Sequence, residues 1–275
     1  MNEIVNNKLR IPETLRQVKN IVGVFSAKGG VGKSAVSLQL AMSLQSKGFK
    51  VGLVDADIYG PSQAVMLNSD PSELKITDNK IIEPLNKKGI SFISMGLIAN
   101  EKKPVIWRGP MVSGAVMQLL SQTNWGKLDY LVVDTPPGTG DVQLTLLQKI
   151  PLTGAVVVTT PQKVSISDCR KGIEMIKRLS IPILGLIENM SWFQPNDSDK
   201  KYYLFGKGGG KELAVEYKIE LLAQLPLIEK SEDQEIHDSE TINKTFNDTT
   251  DKIVQLLKTE RSNKLDSIPQ TNITK

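Results

Sequence analysis

The sequence is poor in thiol and imidazole side chains, with one cysteine, Cys169, and one histidine, His237, among 275 residues. A disulfide within the chain is therefore impossible, which suits a reducing compartment. A zinc site made of Cys and His side chains from a single chain is also excluded, because such a site takes four ligands.

The sequence also lacks long apolar runs and a strong charge imbalance. No run approaches the length needed to cross a bilayer, and residues 1–20 contain no apolar core of signal-peptide length. The 34 basic and 30 acidic residues leave a net charge of +4. The lysines are scattered, whereas a DNA-binding face usually shows a clustered basic stripe. We therefore expect a soluble, cytoplasmic protein without a nucleic-acid or membrane partner.

Short apolar runs alternate with helical patterns from residue 21 onward. The runs are rich in β-branched residues, as in strands that are buried on both faces of a parallel sheet. Between the runs, apolar residues recur at helical spacing, for example at Val36, Leu40 and Leu44. This alternation predicts an α/β fold, with a doubly wound, mostly parallel sheet and helices on both faces. The predicted strands are 21–25, 51–54, 90–94, 130–133, 155–158 and 183–187.

We divide the chain into an N-terminal extension (1–19), one folded domain (20–259) and a polar C-terminal tail (260–275). Residues 68–88 carry an Asp78-Asn79 turn between alternating apolar residues, and this pattern predicts a small hairpin insertion. A C-terminal helix with one apolar face is predicted near the end of the domain. The residues of that face are Ile242, Phe246, Ile253 and Leu257.

A glycine-rich loop lies between the first predicted strand and the first predicted helix, which is the context that a P-loop requires. Glycines allow successive backbone N–H groups to turn toward phosphates, and the start of the helix adds a favourable dipole. Lys33 can neutralise the β- and γ-phosphates, and the Ser34 hydroxyl can bind Mg²⁺. The residues expected to bind the nucleotide are Gly29, Gly30, Val31, Gly32, Lys33 and Ser34.

The loop differs from an ordinary Walker A pattern, because Ala27 replaces a glycine and a second lysine, Lys28, follows it. The string Lys28-Gly29-Gly30-Val31-Gly32-Lys33-Ser34 resembles that of the signature-lysine ATPases, whose relatives include MinD, ParA and the nitrogenase iron protein. The resemblance implies a P-loop ATPase domain over residues 20–259. It also implies a homodimer in which Lys28 reaches the partner's nucleotide and acts in catalysis beside Lys33.

Two acidic motifs follow the loop. In the string Asp55-Ala56-Asp57, the resemblance implies that Asp57 orients or activates the attacking water, for which a carboxylate is chemically suited. The alternative is an acid that merely caps a turn at the end of a strand. Asp134 comes directly after four apolar residues and resembles a Walker B acid. It is then expected to hold Mg²⁺ together with Ser34, while the Gly138 amide could sense the γ-phosphate.

Asn189 follows the last predicted strand, and in relatives an asparagine at this place contacts the base. The alternative, a turn residue at the strand end, has equal weight. ATP is favoured over GTP, because the guanine-reading N-K-x-D pattern is absent. The nearest string, Asn243-Lys244-Thr245-Phe246, lacks the acid that would pair with guanine.

Further strings narrow the resemblance to the Mrp/ApbC family, over about residues 20–240. That family implies dimeric ATPases that carry iron–sulfur clusters to apoproteins, so the expected partners are a second copy and apoproteins or assembly factors. The strings are Asp57-Ile58-Tyr59-Gly60-Pro61-Ser62, Trp107-Arg108-Gly109-Pro110-Met111, Asp134-Thr135-Pro136-Pro137-Gly138-Thr139-Gly140-Asp141, Glu188-Asn189-Met190-Ser191 and Phe205-Gly206-Lys207-Gly208-Gly209-Gly210.

One departure concerns the cluster that the family implies as a cofactor. The family's C-x-x-C pair lies between the last two of these strings, where the segment 192–204 contains no cysteine. Cys169 lies on the preceding helix, where a free cysteine is more often a small packing residue than a ligand. Two copies in a dimer would supply two thiolates, whereas a cluster usually takes four ligands. We therefore expect the isolated protein to bind no stable cluster in the family's manner.

The alternative function is that of a MinD- or ParA-like ATPase for spatial positioning on a membrane or DNA. A MinD-like protein needs a C-terminal amphipathic helix with a basic face, and a ParA-like protein needs a basic surface. A polar tail and scattered charge favour neither. An electron donor like the nitrogenase iron protein would again need cluster cysteines.

Overall fold

The computed structural model describes residues 12–98, 109–195, 197–228 and 240–266. An eight-stranded sheet forms its centre, in the order β10-β9-β8-β1-β7-β2-β6-β5. Neighbouring strands are parallel except β5, which pairs antiparallel with β6 at one edge. The strands are β1 (Val18–Phe25), β2 (Val51–Asp55), β3 (Lys75–Ile76), β4 (Ile82–Glu83), β5 (Leu85–Lys87), β6 (Ile90–Ser94), β7 (Leu128–Asp134), β8 (Gly154–Thr159), β9 (Ile183–Glu188) and β10 (Leu221–Gln224).

Helices cover both faces of this sheet, as the sequence predicts. Along β1, Val22 and Val24 pack with α1 and α8 on one face, while Ile21 and Phe25 pack with helices of the opposite face. This alternation leaves the central strands buried on both sides, which explains why they read as continuous apolar runs. The helices are α1 (Lys33–Ser46), α2 (Gln63–Met66), α3 (Met95–Ile98), α4 (Gly109–Gln122), α5 (Asp141–Lys149), α6 (Lys163–Arg178), α7 (Gly209–Tyr217) and α8 (Glu240–Asp266), with 3-10 turns at Glu13–Leu15 and Pro71–Glu73.

The predicted hairpin and C-terminal helix are both present. β3 and β4 pair antiparallel around the Asp78-Asn79 turn. The four apolar side chains predicted for the C-terminal helix are all buried, and they pack against α1 and the sheet. The helix α8 does not stop at residue 259 but continues to Asp266, and Lys258, Glu260, Arg261 and Lys264 are good helix formers in this last part.

Part of the predicted N-terminal extension is also tied to the fold. Leu15 is buried, and the Thr14 hydroxyl donates to the carbonyl oxygens of Leu120 and Ser121 at the end of α4. Strand β1 then begins at Val18. Residues 1–11 and 267–275 lie outside the described residues. The division of the chain into an extension (1–19), a domain (20–259) and a tail (260–275) stays a prediction.

The carboxyl ends of the central strands bring the predicted acids together. β7 lies between β1 and β2, and the pairing places Asp134 beside Val24 on one side and Asp55 on the other. Loops that follow β1, β2 and β7 therefore meet at one edge of the sheet, which is where open α/β sheets bind their ligands. Over the described ranges, no helix is long and apolar enough to span a bilayer.

Candidate nucleotide-binding site

The loop between β1 and α1 has a backbone that depends on glycine. Gly30 and Gly32 have φ values of +76° and +80°, a region that side chains other than glycine rarely adopt. A Cβ atom at Gly32 would also overlap the Asn189 side chain. The loop leads directly into the N-terminus of α1 at Lys33. The unpaired amides and the dipole of that helix end favour an anion, which a phosphate would supply.

A cavity of about 730 Å³ opens over this loop. Its size falls within the range of ordinary small-molecule sites. Residues from the loops after β1, β2 and β7 line it together: Ser26, Gly29, Gly30, Gly32, Lys33, Ser34, Ala35, Asp57, Tyr59, Gly60, Ser62, Val65, Met66 and Pro137.

Two predicted residues of the loop lie outside the cavity wall. Val31 is buried in the core beneath the loop. Lys28 is half-buried, and no carboxylate pairs with it among the described ion pairs. The structure therefore leaves the ammonium group of Lys28 without a partner from its own chain in the parts described.

Lys33 and Asp134 form a buried ion pair through Nζ and Oδ1. Their side chains are 5% and 0% exposed, so both charges are removed from water. The Ser37 hydroxyl donates to the same Oδ1 over 3.1 Å. Breaking such a pair by removing one partner is costly, because the remaining charge stays buried. The motif residues that the sequence placed 101 positions apart are thus in direct contact.

Gln63, the first residue of α2, is a member of the cluster that sequence reasoning missed. Its Nε2 donates to Oδ2 of Asp134 over 3.0 Å and to the carbonyl oxygen of Ser34 over 2.8 Å. Its backbone N–H donates to Oδ2 of Asp55, which also accepts from the Ser94 hydroxyl. No sequence motif marks this glutamine, because its role depends on how the loop after Asp57 folds back.

The two acids of the Asp55-Ala56-Asp57 string are in different surroundings. Burial, reinforced by the nearby Asp134 carboxylate, raises the pKa of Asp55 to about 7. Burial also raises the pKa of Asp57, while Lys33 acts in the opposite direction. Asp57 lines the cavity, whereas Asp55 does not. Oδ1 of Asp57 accepts hydrogen bonds from the amides of Tyr59 and Gly60 over 3.2 Å, so the Asp57 carboxylate both caps a turn and faces the cavity.

The segment after β7 is hydrogen-bonded to the start of the phosphate loop. The Gly138 amide, which the sequence suggests as a γ-phosphate sensor, donates to the carbonyl oxygen of Ser26 over 2.9 Å. The Ser26 hydroxyl, in contrast, is buried and has no hydrogen-bond partner among the described residues. An unpaired buried hydroxyl at a cavity wall is suited to a polar ligand group.

Asn189 lies beside the phosphate loop. Its Nδ2 donates to the carbonyl oxygen of Val31 over 2.9 Å, and its Oδ1 accepts from the Met190 amide. It lines a second, mostly apolar cavity of about 260 Å³, which adjoins the first at Gly32 and Ala35. The remaining lining residues are Val36, Gln39, Met190, Leu225, Pro226, Leu227, Ile228, Ile242 and Phe246. Asn189 therefore serves as a structural link and also borders a space next to the phosphate site.

Cys169 lies in the core between α6 and the sheet. It is 1% exposed, and burial raises the pKa of its thiol to about 12. In the ranges that the structure describes, no group of three or more His, Cys, Asp and Glu side chains could hold a metal ion. In the segment 192–204, where the resemblance leads one to expect a cysteine pair, a short antiparallel bridge joins Phe193 and Tyr202, and the Lys201 amine lies 4.1 Å from the ring centroid of Trp192.

Comparison with known proteins identifies a family and relatives at about 50% identity. A family model described as ParA, NUBPL iron-transfer P-loop NTPase, matches residues 17–260. The iron-sulfur cluster carrier protein of Pseudomonas fragi is 51% identical over 214 residues, which cover 78% of this chain and 75% of that protein. Its counterpart in Haemophilus influenzae is 52% identical over 213 residues, which cover 78% of this chain but only 58% of that longer protein.

Solved structures with the same fold include proteins that bind nucleotides. A nucleotide-binding protein from Archaeoglobus fulgidus, in complex with ADP, is 32% identical with a TM-score of 0.69 and covers 87% of this chain and 90% of its own. The cell-division ATPase MinD of Pyrococcus furiosus, at 20% identity and a TM-score of 0.58, covers 86% of this chain and 99% of its own and shows the shared fold alone. Because the family model spans nearly all of the described domain, the chain belongs to the ParA family of P-loop NTPases, in its iron-transfer NUBPL branch.

Proposed function

We propose that this protein is a Mg²⁺-dependent ATPase that works as a nucleotide-gated homodimer and helps deliver iron–sulfur clusters to apoproteins. The single observation that carries the proposal is a cavity over a glycine loop that is lined by Lys33 and Asp57, with the buried Asp134 paired to Lys33 behind its wall. The names of the relatives, iron-sulfur cluster carrier proteins, supply the delivery role.

The side chains at the site are suited to a magnesium nucleotide. Mg²⁺ prefers hard oxygen ligands, and the site offers the Ser34 hydroxyl in the first turn of α1 and the Asp134 carboxylate at the end of β7. When bound, magnesium would neutralise phosphate charge. Lys33 lies beside Asp134 and can exchange that carboxylate for the β- and γ-phosphates. With Lys33 turned to the phosphates, the Asp134 carboxylate would be free to help hold the metal.

Hydrolysis requires a group that orients water, and Asp57 is the acid that faces the cavity. Two backbone amides fix one of its oxygens, and the other oxygen is left to hold a water in line with the γ-phosphate. Lys28 has no described acidic partner within its own chain. We assign it to the nucleotide of the partner protomer, where a cation stabilises transition-state charge as an arginine finger does.

The second cavity supports ATP as the nucleotide. It adjoins the phosphate site, it is mainly apolar, and Asn189 borders it with a side-chain amide. These features suit a purine ring that enters from the phosphate loop. We propose that Asn189 lies next to the base and holds the loop to β9.

The cluster-handling step is assigned to a partner and not to resident cysteines. Cys169 is buried with a strongly raised pKa, so it is a poor cluster ligand. The protein would then dock a separate carrier or client, or bind a cluster whose thiolates come from a partner or a small thiol.

The proposal is tested by coupling the two activities. A cluster-loaded carrier and an apoprotein acceptor are mixed with this protein and Mg²⁺–ATP, and acceptor reconstitution is followed spectroscopically. We expect faster transfer with ATP than with ADP, and no acceleration by ATP when the Lys33→Ala variant replaces the parent. The proposal would be refuted if the protein hydrolysed no ATP, or if the rate of cluster transfer were the same with ATP, with ADP and without nucleotide. ATP-dependent pelleting with liposomes or DNA would instead favour the positioning ATPase.

A further inference from the structure

Gln63 is a completely buried side chain that joins three parts of the site. Its amide nitrogen contacts the Asp134 carboxylate and the Ser34 carbonyl oxygen, and its backbone N–H contacts Asp55. It is not part of the cavity wall, although the neighbouring Ser62 is. Its place is therefore behind the site, in contact with a proposed metal-binding residue.

The orientation of this amide is fixed by its partners. Both N–H groups of Nε2 point at acceptors, namely a carboxylate oxygen and a carbonyl oxygen. A flipped amide would set its own oxygen against both of them. In the observed orientation Oε1 is buried and has no partner among the described residues.

An unpaired buried acceptor has a cost, on the order of 1–3 kcal/mol. An apolar side chain of similar length would fill the same space without that cost. A role limited to packing therefore does not explain why a glutamine occupies this position. The two donated hydrogen bonds are the feature that an apolar residue could not supply.

We propose that Gln63 is a positioning residue for magnesium, because it holds the Asp134 carboxylate in place with a neutral donor. Lys33 also holds Asp134, but its charge competes with a dication, and the proposed function requires it to move to the phosphates. Gln63 on Oδ2 and Ser37 on Oδ1 then remain, and neither cancels the carboxylate charge. This inference rests on the proposed nucleotide function and adds a residue to that site.

The position of Gln63 in the chain gives the contact a second consequence. The residue ends the short segment that begins at Asp57, and its backbone N–H is bonded to Asp55. Gln63 therefore holds Asp134 through its side chain. Through its backbone N–H, it also holds the end of the segment that begins at Asp57, the proposed water-orienting acid. Gln63 acts through these acids and does not itself touch the cavity.

The test is a magnesium titration of nucleotide binding with Gln63→Leu, using a fluorescent ATP analogue. We expect the Mg²⁺ concentration for half-maximal binding to rise roughly tenfold, the effect of losing one hydrogen bond to a charged group. Affinity for the metal-free nucleotide, measured in EDTA, should stay within about twofold by the same argument. Equal losses with and without metal would show a merely structural role and overturn the inference.

Gln143→Leu is the matched control. Gln143 is also buried and also has an unpaired Oε1, but its Nε2 donates to the Thr135 hydroxyl and not to a carboxylate. It should keep the magnesium requirement of the parent. If Gln63→Leu fails to fold, Gln63→Asn decides, because its amide is one methylene too short to reach Asp134 from the same backbone.

Nucleotide binding by the parent protein distinguishes a failure of the proposed function from a failure of the proposed role of Gln63. A parent that binds no nucleotide in either condition would refute the proposed function. A parent whose binding depends on Mg²⁺, beside Gln63 variants with the same Mg²⁺ dependence, would refute the role of Gln63 alone.

Discussion

At the residue scale, the chemistry of the site centres on the Asp134 carboxylate. Lys33 and Ser37 contact one of its oxygens and Gln63 contacts the other. Its charge is paired with Lys33, which avoids leaving a bare buried charge. In the proposed function Lys33 turns to the phosphates, so Asp134 then needs another cation, and the proposed one is a metal ion.

Lys33→Ala should lower ATP affinity by at least about 100-fold, since charged hydrogen bonds to several phosphate oxygens are lost. Equilibrium binding of a fluorescent ATP analogue measures this. Lys47→Ala is the control, because Lys47 follows the other end of α1 and pairs with Asp251 at the surface. Parent-like affinity in Lys33→Ala would show that the phosphates bind elsewhere.

Asp57→Asn should bind ATP as the parent does and lose turnover by about 10²- to 10⁴-fold, the usual contribution of a general base. Asparagine keeps an oxygen for the amides of Tyr59 and Gly60, so the turn is preserved and only the charge is removed. Phosphate release under saturating Mg²⁺–ATP is the measurement, with Asp57→Ala beside it. Undiminished hydrolysis in both variants would leave Asp57 as a turn cap only.

At the element scale, the sheet and the phosphate loop were predictable, while the contacts behind the site were not. The apolar runs of β1, β2, β7, β8 and β9 are continuous and mostly buried on both faces, so composition reveals them. β10 is only 4 residues long and lies at the sheet edge, and no pattern separates it from a loop. Gln63 is beyond sequence reasoning for another reason, because its partners come from distant positions that only the folded chain brings together.

The helix α6 gives a test of packing that is independent of the nucleotide site. Cys169 points from it into the core, and burial raises the pKa of the thiol to about 12. Because the thiolate is the reactive form, alkylation at pH 8 should be at least about 100-fold slower in the folded than in the unfolded protein. Below the raised pKa, the thiolate fraction rises about tenfold per pH unit, so the folded-state rate should keep rising with pH where the rate of an ordinary thiol has already levelled off.

Mass spectrometry after timed iodoacetamide treatment measures that rate. The matched control is Val215→Cys in a Cys169→Ala background, since Val215 is 71% exposed on α7. The control thiol should react at the speed of a free thiol. If native Cys169 reacts as fast as the control, it is accessible and could serve as a ligand.

At the scale of the whole molecule, the proposed dimer can be tested by complementation. Sedimentation velocity should show a monomer shifting to a dimer when a non-hydrolysable ATP analogue is added. Lys28→Ala and Asp57→Ala should each be inactive alone. If Lys28 acts in trans, a mixture of the two variants regains activity, because one composite site combines the intact Asp57 of one protomer with the intact Lys28 of its partner.

The same mixture distinguishes the opposite arrangement. If Lys28 acts within its own chain, neither site of a mixed dimer contains both residues, and the mixture stays inactive. A species that remains monomeric with the analogue, yet hydrolyses ATP fully, would also exclude the cross-dimer role. The exposed Tyr59 side chain, which lines the cavity, is a candidate for the contact surface.

The cluster itself is the last property of the whole molecule, and family and chemistry point in different directions. The relatives are named as cluster carriers, but the 192–204 segment of this chain has no cysteine. Iron–sulfur clusters favour thiolate ligands, and the side chains of this segment, a carboxylate such as Asp197 included, are poor substitutes. We therefore expect anaerobic reconstitution, followed by desalting and assay of iron and acid-labile sulfide, to give far less than one cluster per dimer. The parent and Cys169→Ala should behave alike. A stable cluster that disappears in Cys169→Ala would require the α6 core to open and expose its thiol, and a stable cluster in both would establish ligation without cysteine.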